Sequence, residues 1–403
     1  MVKQYLLIGA SAASIGALNA LLRLDPHAHI TIISAEKELP YNKCLLADYM
    51  GGSIEQNRLA ICATQQTNCT WVLGQAVTSI DSVAKRVITD AGFEYTYDEL
   101  FLGMGSSPWM PDLPGIQSSG LFTFHTHADT NAILAFIQHR SVKNIVVIGA
   151  GLSGLEAADA LLKHQLKISI IEKNGQVLPW LLSTTSAQFL QKKIEEQGVE
   201  LLLNQSVTRF IDTNGIVTAV ELADGTAIPA DMVIVATGLR PNISLCHKAG
   251  ITLSPQGIVV NEFLQTSIAS IYAGGDLIAV KNLLTGTMMR SCLWPDAMQQ
   301  GMIAAHAMAS KPKPYLGATI ITSSAFFGVK FAQAGIIQPS DGQQVFTHNR
   351  QGADFCHTFT MNGDALVGFE VLGTRHNLGD LRRILLTKQL VSIDQIAGNE
   401  NSD

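Results

Sequence analysis

The segment NIVVIGAGLSGLEAADALLK, residues 144–163, runs from an apolar strand through a glycine-rich turn into an alanine-rich helix. Its turn carries Gly149-x-Gly151-x-x-Gly154, which is the spacing of the dinucleotide-binding fingerprint. The first glycine permits the tight turn, the second lets backbone N–H groups approach a pyrophosphate, and the third lets helix and strand pack closely. Because the helix N-terminus then faces the phosphates, the segment predicts a nucleotide-binding β-α-β unit.

An acidic residue follows the fingerprint at the distance that dinucleotide binding requires. Glu172 ends the next apolar strand, 23 residues beyond Gly149, and its carboxylate can accept a hydrogen bond from a ribose 2′-hydroxyl. The same carboxylate would repel a 2′-phosphate, so the sequence favours NADH over NADPH.

A second copy of this unit stands at the N-terminus. Residues 5–24, YLLIGASAASIGALNALLRL, carry the degenerate fingerprint Gly9-x-Ser11-x-x-Ser14. Ser11 can donate to a phosphate oxygen, whereas Ser14 adds a side chain at the position of close packing. Glu36, 27 residues beyond Gly9, can serve a second ribose. The near-continuous apolar strands of both copies predict parallel sheets that are covered on both faces.

Other landmarks divide the rest of the chain. ELFLGMGSSP (99–108) and MVIVATGLRPN (232–242) each predict an apolar strand followed by a glycine turn. After the KPKP sequence at 311–314 the composition alternates between apolar and polar residues, and an Asn362–Gly363 pair predicts a hairpin. We therefore expect residues 311–403 to form a small α+β domain that ends in a helix around Leu378–Leu390.

Composition excludes several classes of protein. The 403 residues carry a net charge of -6, so no basic field points to nucleic acid. No apolar stretch reaches about twenty residues, the length of a membrane span. The N-terminal run could be a signal peptide, but it leads into a second strand as a β-α-β unit should. The six cysteines form no C-x-x-C pair, which favours a reducing cytoplasm.

No metal site is predicted. His125 and His127 are the only clustered histidines, and their spacing would place both on one face of a strand. No third ligand accompanies them, so the pair does not make a metal site.

The paired fingerprints, the two glycine turns and a third motif, SIYAGGD at 270–276, resemble the two-dinucleotide-binding-domain flavoprotein reductases. This resemblance implies an α/β fold of two doubly wound Rossmann-like domains plus the C-terminal α+β domain. It implies an FAD domain split into residues 1–112 and 244–310, an NADH domain at 113–243 and an interface domain at 311–403. In the family the first unit binds FAD and the second NAD(P)H. The resemblance adds these cofactor-binding residues from the three glycine motifs: Gly105, Gly238, Gly275 and Asp276, the last of which hydrogen-bonds the flavin ribityl chain or pyrophosphate.

Two further stretches resemble the rubredoxin/nitrite-reductase-type branch of that family. In LPYNKCLLADYM (39–50), Lys43 takes the basic position that meets the FAD pyrophosphate. SCLWPDAMQQGMIAA (291–305) resembles the helix over the flavin, where Trp294 can cap the ring. The lysine that often follows the first stretch is replaced by Asp48, whereas its partner carboxylate is present as Glu156, which we expect to act as a positioning residue.

Cys44 leaves a second interpretation open. In the NADH oxidase, NADH peroxidase and coenzyme A-disulfide reductase branch, one redox cysteine lies beside the flavin at this place. A thiolate there can form a sulfenic acid or a mixed disulfide and be reset by reduced flavin. The alternative is a small apolar residue that only packs. Five other cysteines are expected to be packing thiols: Cys62, Cys69, Cys246, Cys292 and Cys356.

The resemblance thus predicts an FAD-dependent NADH oxidoreductase, in which NADH passes hydride to the flavin and the flavin passes electrons to a small redox protein or an iron–sulfur subunit. The first alternative is a cysteine-assisted NADH oxidase, peroxidase or coenzyme A-disulfide reductase. The second is a non-catalytic FAD- and NAD-binding assembly or sensing protein, which only Ser11, Ser14 and Asp48 support. A homodimer is compatible with the tail, and the electron acceptor has no motif.

Overall fold

The structure is a computed structural model that describes residues 2–61, 68–349, 354–373 and 378–397. Its contacts divide the chain into two compact units. The first unit contains residues 1–44, 56–107 and 239–320, and the second contains residues 45–55, 108–238 and 321–403. Within the described ranges, no helix is long and apolar enough to cross a membrane.

The helices of the described chain are mostly short, and the longest follow the glycine-rich turns or pack beside them. In chain order they are α1 (Ala12–Leu24), α2 (Leu46–Met50), α3 (His127–His139), α4 (Leu152–Leu162), α5 (Thr184–Glu196), α6 (Ser244–Lys248), α7 (Trp294–Met308), α8 (Leu378–Thr387) and α9 (Ile393–Ala397).

The strands fall into parallel sheets around the two fingerprints and antiparallel sheets elsewhere. In chain order they are β1 (Gln4–Ile8), β2 (His29–Ser34), β3 (Cys69–Leu73), β4 (Val77–Asp81), β5 (Arg86–Thr89), β6 (Glu94–Thr96), β7 (Glu99–Leu102), β8 (Ser106–Pro108), β9 (Leu121–Phe122), β10 (Asn144–Ile148), β11 (Lys167–Glu172), β12 (Glu200–Leu203), β13 (Val207–Thr213), β14 (Ile216–Leu222), β15 (Ala227–Pro229), β16 (Met232–Val235), β17 (Leu239–Pro241), β18 (Leu253–Ser254), β19 (Gly257–Ile258), β20 (Ile271–Ala273), β21 (Val280–Lys281), β22 (Met288–Met289), β23 (Ile321–Phe326), β24 (Val329–Gly335), β25 (Gln344–Asn349), β26 (Phe355–Asn362) and β27 (Ala365–Gly373).

The first unit is built on a five-stranded parallel sheet in the order β20-β7-β1-β2-β3. The central strands are mostly buried, and Leu7, Ile30 and Phe101 have no exposed surface. Helices α1 and α7 pack so closely that a Cβ on Gly16 would overlap the carbonyl oxygen of Met298. This helix pair brings the N-terminus of α7 to the edge of the sheet where α1 begins.

The second unit repeats that sheet in the order β12-β11-β10-β16-β9, again with parallel strands. The apolar segments at 5–8 and 145–148 therefore form equivalent central strands, which confirms the predicted α/β fold with two doubly wound halves. In this unit α4 lies on the sheet, and the short α2 packs against α3 and α4.

Strands β23 to β27 form an antiparallel sheet in the order β23-β24-β27-β26-β25. Gly363, with φ +56°, makes the turn between β26 and β27, which confirms the predicted hairpin. The buried carboxylate of Glu370 accepts hydrogen bonds from the backbone N–H and the hydroxyl of Ser183, the N-cap of α5. These hydrogen bonds connect the sheet to α5 within the second unit. The helix expected around Leu378–Leu390 ends at Thr387.

One local prediction was wrong. His125 and His127 do not share a strand, because Thr126 caps the N-terminus of α3 through a reciprocal pair of hydrogen bonds with Asp129. The Thr-x-x-Asp spacing is a capping box, which outweighs the alternating pattern. The described residues hold no cluster of three or more His, Cys, Asp or Glu side chains that could bind a metal ion.

Candidate functional site

In the first unit, the turn after β1 leads directly into α1. Gly9 has φ +96°, and a Cβ there would overlap the carbonyl oxygen of Gly103, so only glycine fits. Ser11 is the N-cap residue of α1, but its side chain makes no capping hydrogen bond. The first turn of the helix therefore has no side-chain acceptor at its N-terminus, where a phosphate oxygen binds well.

Ser14 occupies the place of the third fingerprint glycine, and the structure explains how it is accommodated. A Cβ on Gly103 would overlap the Ser14 hydroxyl. In the second unit, the corresponding pair is Gly154 and Ala236, and a Cβ on Gly154 would lie 3.4 Å from the Ala236 methyl and overlap the Gly149 carbonyl. The first unit thus places the larger side chain on the helix and the glycine on the strand end.

The predicted ribose acceptor Glu36 lies beside the predicted phosphate ligand Lys43. Lys43 Nζ is 2.9 Å from Glu36 Oε1, and the Tyr41 hydroxyl donates to Glu36 Oε2 at 2.5 Å. The carboxylate is thereby held at the end of β2, where a ribose hydroxyl could also reach it. The separate roles of the two residues toward FAD stay predictions.

Asp276 stands at the end of β20, next to the turn after β7. The Ser106 hydroxyl donates to Asp276 Oδ2 at 2.5 Å, and the N–H of Gly275 donates to Gln300 Oε1 at 2.7 Å. Gln300 is buried in α7 and donates to the Tyr315 hydroxyl at 3.2 Å. Neither Ser106 nor Gln300 is apparent from the sequence, because Asp276 is 170 residues from Ser106 and Gly275 is 25 residues from Gln300.

Gly105 and Trp294 complete the residues predicted for this unit. Gly105 has φ +63° and open space where a Cβ would stand, so its backbone leaves room for a ligand. Trp294 is the first residue of α7, where Pro295 follows, and it packs partly buried against the core.

In the second unit, the turn after β10 repeats this arrangement with all three glycines. Gly149 has φ +106°, and a Cβ there would overlap the Ala236 carbonyl. A Cβ on Gly151 would meet no atom within 4 Å, so packing of the protein does not explain that glycine. Gly151 is the N-cap residue of α4 and offers no side-chain cap, unlike Ser183, which caps α5. Open space above an uncapped helix N-terminus fits a pyrophosphate.

Glu172 is only 6% exposed and its carboxylate is held by the fingerprint loop. Oε2 accepts from the N–H of Ala150 at 2.8 Å, and Oε1 accepts from the N–H and the side-chain amide of Asn174. A carboxylate fixed in this way keeps a negative charge next to the loop that would hold the adenosine ribose.

The glycine turn after β16, in the second unit, is fixed by Trp109. The Gly238 carbonyl accepts from the Trp109 N–H at 2.9 Å, and the Thr237 hydroxyl donates to the Trp109 carbonyl at 2.7 Å. Gly238 itself has φ +116° and open space at its Cβ position. The turn is therefore ordered by its neighbours and leaves one face free of side chains.

Glu156 projects from α4 and accepts a hydrogen bond from the Ser324 hydroxyl at 2.8 Å. Burial raises the pKa of its carboxyl group, and the charge of Asp48 on α2 raises it further, whereas the Ser324 hydrogen bond lowers it. The chain therefore has two carboxyl groups where the resembling branch often has a lysine and a carboxylate. The positioning role of Glu156 stays a prediction.

The cysteines differ in their surroundings. Cys44 is exposed in the 3-10 turn Lys43–Leu45, and its backbone N–H donates to Asn42 Oδ1 at 3.0 Å. Cys246 and Cys356 are buried and Cys69 is partly buried. Cys292 is exposed, so its assignment as a packing thiol was wrong. Cys62 lies outside the described residues.

The profile of the pyridine nucleotide-disulphide oxidoreductase family matches residues 3–301. That range includes both fingerprints and all three glycine turns. The chain belongs to this family. This membership supports an NAD(P)H oxidoreductase activity.

Relatives of this oxidoreductase include larger proteins. Nitrite reductase [NAD(P)H] of Bacillus subtilis is 30% identical over 375 residues, which cover 92% of this chain and 46% of that protein. The assimilatory nitrate reductase electron transfer subunit of the same species is 29% identical over 400 residues, or 98% of this chain and 50% of that protein. The chain thus spans about half the length of these relatives. Among solved structures, a NAD-dependent persulfide reductase from A. fulgidus has a TM-score of 0.88 at 25% identity, covering 99% of this chain and 79% of that one.

The cofactors of this oxidoreductase family are FAD and NAD(P)H. The open positions at Gly105 and Gly151 and the two uncapped helix N-termini fit their phosphates. Ser11, Ser106 and Asp276 would hold FAD in the first unit, and Gly151 and Glu172 would hold NAD(P)H in the second. When bound, these groups supply hydride chemistry, while the chain binds and orients them.

Proposed function

We propose that this oxidoreductase takes electrons from NADH through FAD and delivers them to a redox protein or an iron–sulfur subunit. The observation that carries the proposal is the match to an assimilatory nitrate reductase electron transfer subunit over 98% of this chain. A match of that extent includes most of residues 311–403, which resemble the interface domain of that branch. A homodimer through this region is part of the proposal.

Glu172 supports NADH as the electron donor. Its carboxylate is buried and fixed by Ala150 and Asn174, so it cannot swing away from an incoming 2′-phosphate. A fixed negative charge at that place disfavours NADPH by repulsion and by the cost of an unpaired buried charge.

A comparison of acceptors under anaerobic NADH tests the proposed function. The purified, FAD-loaded protein should reduce a ferredoxin or a rubredoxin, followed by their visible bands, and should reduce ferricyanide as a dye control. Hydrogen peroxide and coenzyme A disulfide should give rates close to the blank. Turnover of the peroxide or disulfide without turnover of any redox protein would contradict the proposal.

The cysteine-assisted function is the second candidate, and the exposure of Cys44 favours it. An accessible thiol in a 3-10 turn, next to the cationic Lys43, is the kind of group that reacts with sulfur species. The similarity to a structure named as a persulfide reductase is in keeping with it. The Cys44 substitution argued in the Discussion separates the two candidates.

A further inference from the structure

Arg290 is a cation whose contacts within the chain are incomplete. It lies between β22 and α7 and is partly buried. Its Nη1 is inaccessible to solvent and donates to no acceptor among the described residues. A buried guanidinium N–H that lacks an acceptor is energetically costly, so such groups are normally satisfied by an anion or a carbonyl oxygen.

Cys292 and Asp276 indicate on which side of the first unit Arg290 lies. Cys292 is two residues further along, in the left-handed region at φ +50°. Burial and the charge of Asp276 raise the pKa of its thiol to about 12, whereas the charge of Arg290 lowers it. Both charges therefore act on one thiol, on the side of the unit where Asp276 is expected to hold the flavin ribityl chain or pyrophosphate.

Cys292 is exposed to solvent. The left-handed backbone at Cys292 turns the chain into Trp294 and the N-terminus of α7.

We propose that Arg290 is a flavin-facing cation that stabilises the negative charge of the reduced ring. Hydride transfer adds two electrons and one proton to a neutral ring, so the ring gains one negative charge. A guanidinium at low dielectric lowers the free energy of that charged form and has little effect on the neutral oxidised form. The inference rests on the assignment of FAD to the first unit.

The reduction potential of bound FAD tests this role, independently of any acceptor. Arg290→Met should bind oxidised FAD with an affinity within a fewfold of that of the parent. The ratio of its affinity for reduced FAD to its affinity for oxidised FAD should be about tenfold lower than in the parent. For a two-electron couple, that tenfold change corresponds to a midpoint about 30 mV more negative. The midpoint is measured by equilibration with a reference dye, and the affinity for oxidised FAD by fluorescence titration.

Three variants keep the outcome clear. Arg290→Lys retains the charge and should keep the midpoint near that of the parent, while Arg290→Gln should repeat the shift if the Met variant does not fold. Arg23→Met removes a charge at the far end of α1, about 18 Å from its N-terminus, and should shift nothing.

An unchanged midpoint in Arg290→Met and Arg290→Gln would overturn the inference, as would a loss of acceptor affinity without a change in midpoint. Failure of the parent to bind FAD would instead overturn the assignment of the FAD site. The two failures are thus distinguishable.

Discussion

Ser14 and Gly103 are matched to each other across the FAD-side fingerprint: the hydroxyl of Ser14 fills the space that a methyl group on residue 103 would need. In the second unit the equivalent space is shared by Gly154 on the helix and Ala236 on the strand end. The degenerate fingerprint is therefore a compensated exchange of side chains, and close packing of α1 on its sheet is retained.

This exchange predicts a pair of opposite effects. Gly103→Ala should destabilise the first unit by about 1–3 kcal/mol, because the new methyl group overpacks against the Ser14 hydroxyl. Ser14→Ala should be neutral or slightly stabilising, because it removes a buried hydroxyl without a hydrogen-bond partner in the described chain. The double variant should recover most of the loss. Thermal unfolding of the three proteins measures this, and additive effects in the double variant would argue against the exchange.

Glu172 predicts the choice between the two nicotinamide cofactors. NADH should bleach the flavin at a far lower concentration than NADPH, and Glu172→Gln should narrow the gap by at least tenfold. The amide oxygen of glutamine can still accept from Ala150, so the loop should persist while the charge is lost. Anaerobic titrations at the flavin absorption band give both affinities.

Glu200→Gln is the matched control for this experiment. In the parent, the Glu200 carboxylate accepts a hydrogen bond from the Ser169 hydroxyl. Ser169 precedes Glu172 by three residues in β11, so it is about 10 Å away along the strand. This variant should leave the cofactor preference unchanged. Equal bleaching of the parent by NADH and NADPH would contradict the role of Glu172.

Asp276 predicts a dependence of FAD binding on one carboxylate. Asp276→Ala should weaken FAD binding by roughly ten- to a hundredfold, which is the loss of about 1.5–3 kcal/mol expected for a charge-assisted hydrogen bond. Ser106→Ala removes the hydroxyl that donates to Asp276 but leaves the charge, so its loss should be much smaller. Fluorescence titration of the apoprotein with FAD measures both. Equal losses would mean that Asp276 acts only through Ser106.

Glu156 predicts a pH dependence of stability. Its raised pKa means that the folded protein holds this proton at pH values where the unfolded chain has lost it. The free energy of unfolding therefore decreases as pH rises from the ordinary glutamate range, near 4.3, through the raised value. Glu156→Gln mimics the protonated form. Relative to the parent, it should become progressively more stable as the pH is raised from 4 to 8.

Thermal midpoints of the parent and Glu156→Gln across that pH range test the prediction. The difference should nearly vanish at pH 4, where both proteins carry a neutral side chain. When Asp48→Asn is introduced into both proteins, the difference between their thermal midpoints should become smaller, because this substitution removes the charge that adds to the effect of burial on the Glu156 pKa. A gap that stays constant with pH would indicate a packing effect and no titration.

The features that can be predicted from the sequence are those whose interacting residues are close together in the chain. The fingerprint turns, the central strands and the Asn362–Gly363 hairpin follow from neighbouring residues, and the structure has them where they were predicted. The Ser14–Gly103 exchange joins residues 89 positions apart. The sequence pattern alone therefore indicates only a degenerate fingerprint and not the compensating glycine.

Cys292 and His125 were misjudged for related reasons. Cys292 is exposed and has a left-handed backbone at a residue that is not glycine, and composition signals neither feature. The His125 pair followed an alternating pattern, whereas the Thr126 cap determined a helix start. In both places, local backbone geometry outweighed the side-chain pattern.

Cys44 predicts the result that separates the two proposed functions. If electrons leave the flavin for a redox protein, the thiol stores none, so one equivalent of NADH should reduce the flavin in both the parent and Cys44→Ser. Turnover with ferricyanide or a redox protein should then stay within a fewfold. If the thiol is the relay, the oxidised parent should consume one additional equivalent, because a sulfenic acid or a mixed disulfide takes up two electrons. An anaerobic NADH titration counts the equivalents, and Cys292→Ser controls for the other thiol that is exposed among the described residues. We expect one equivalent in all three proteins; two in the parent and Cys292→Ser, with one in Cys44→Ser, would establish the thiol mechanism.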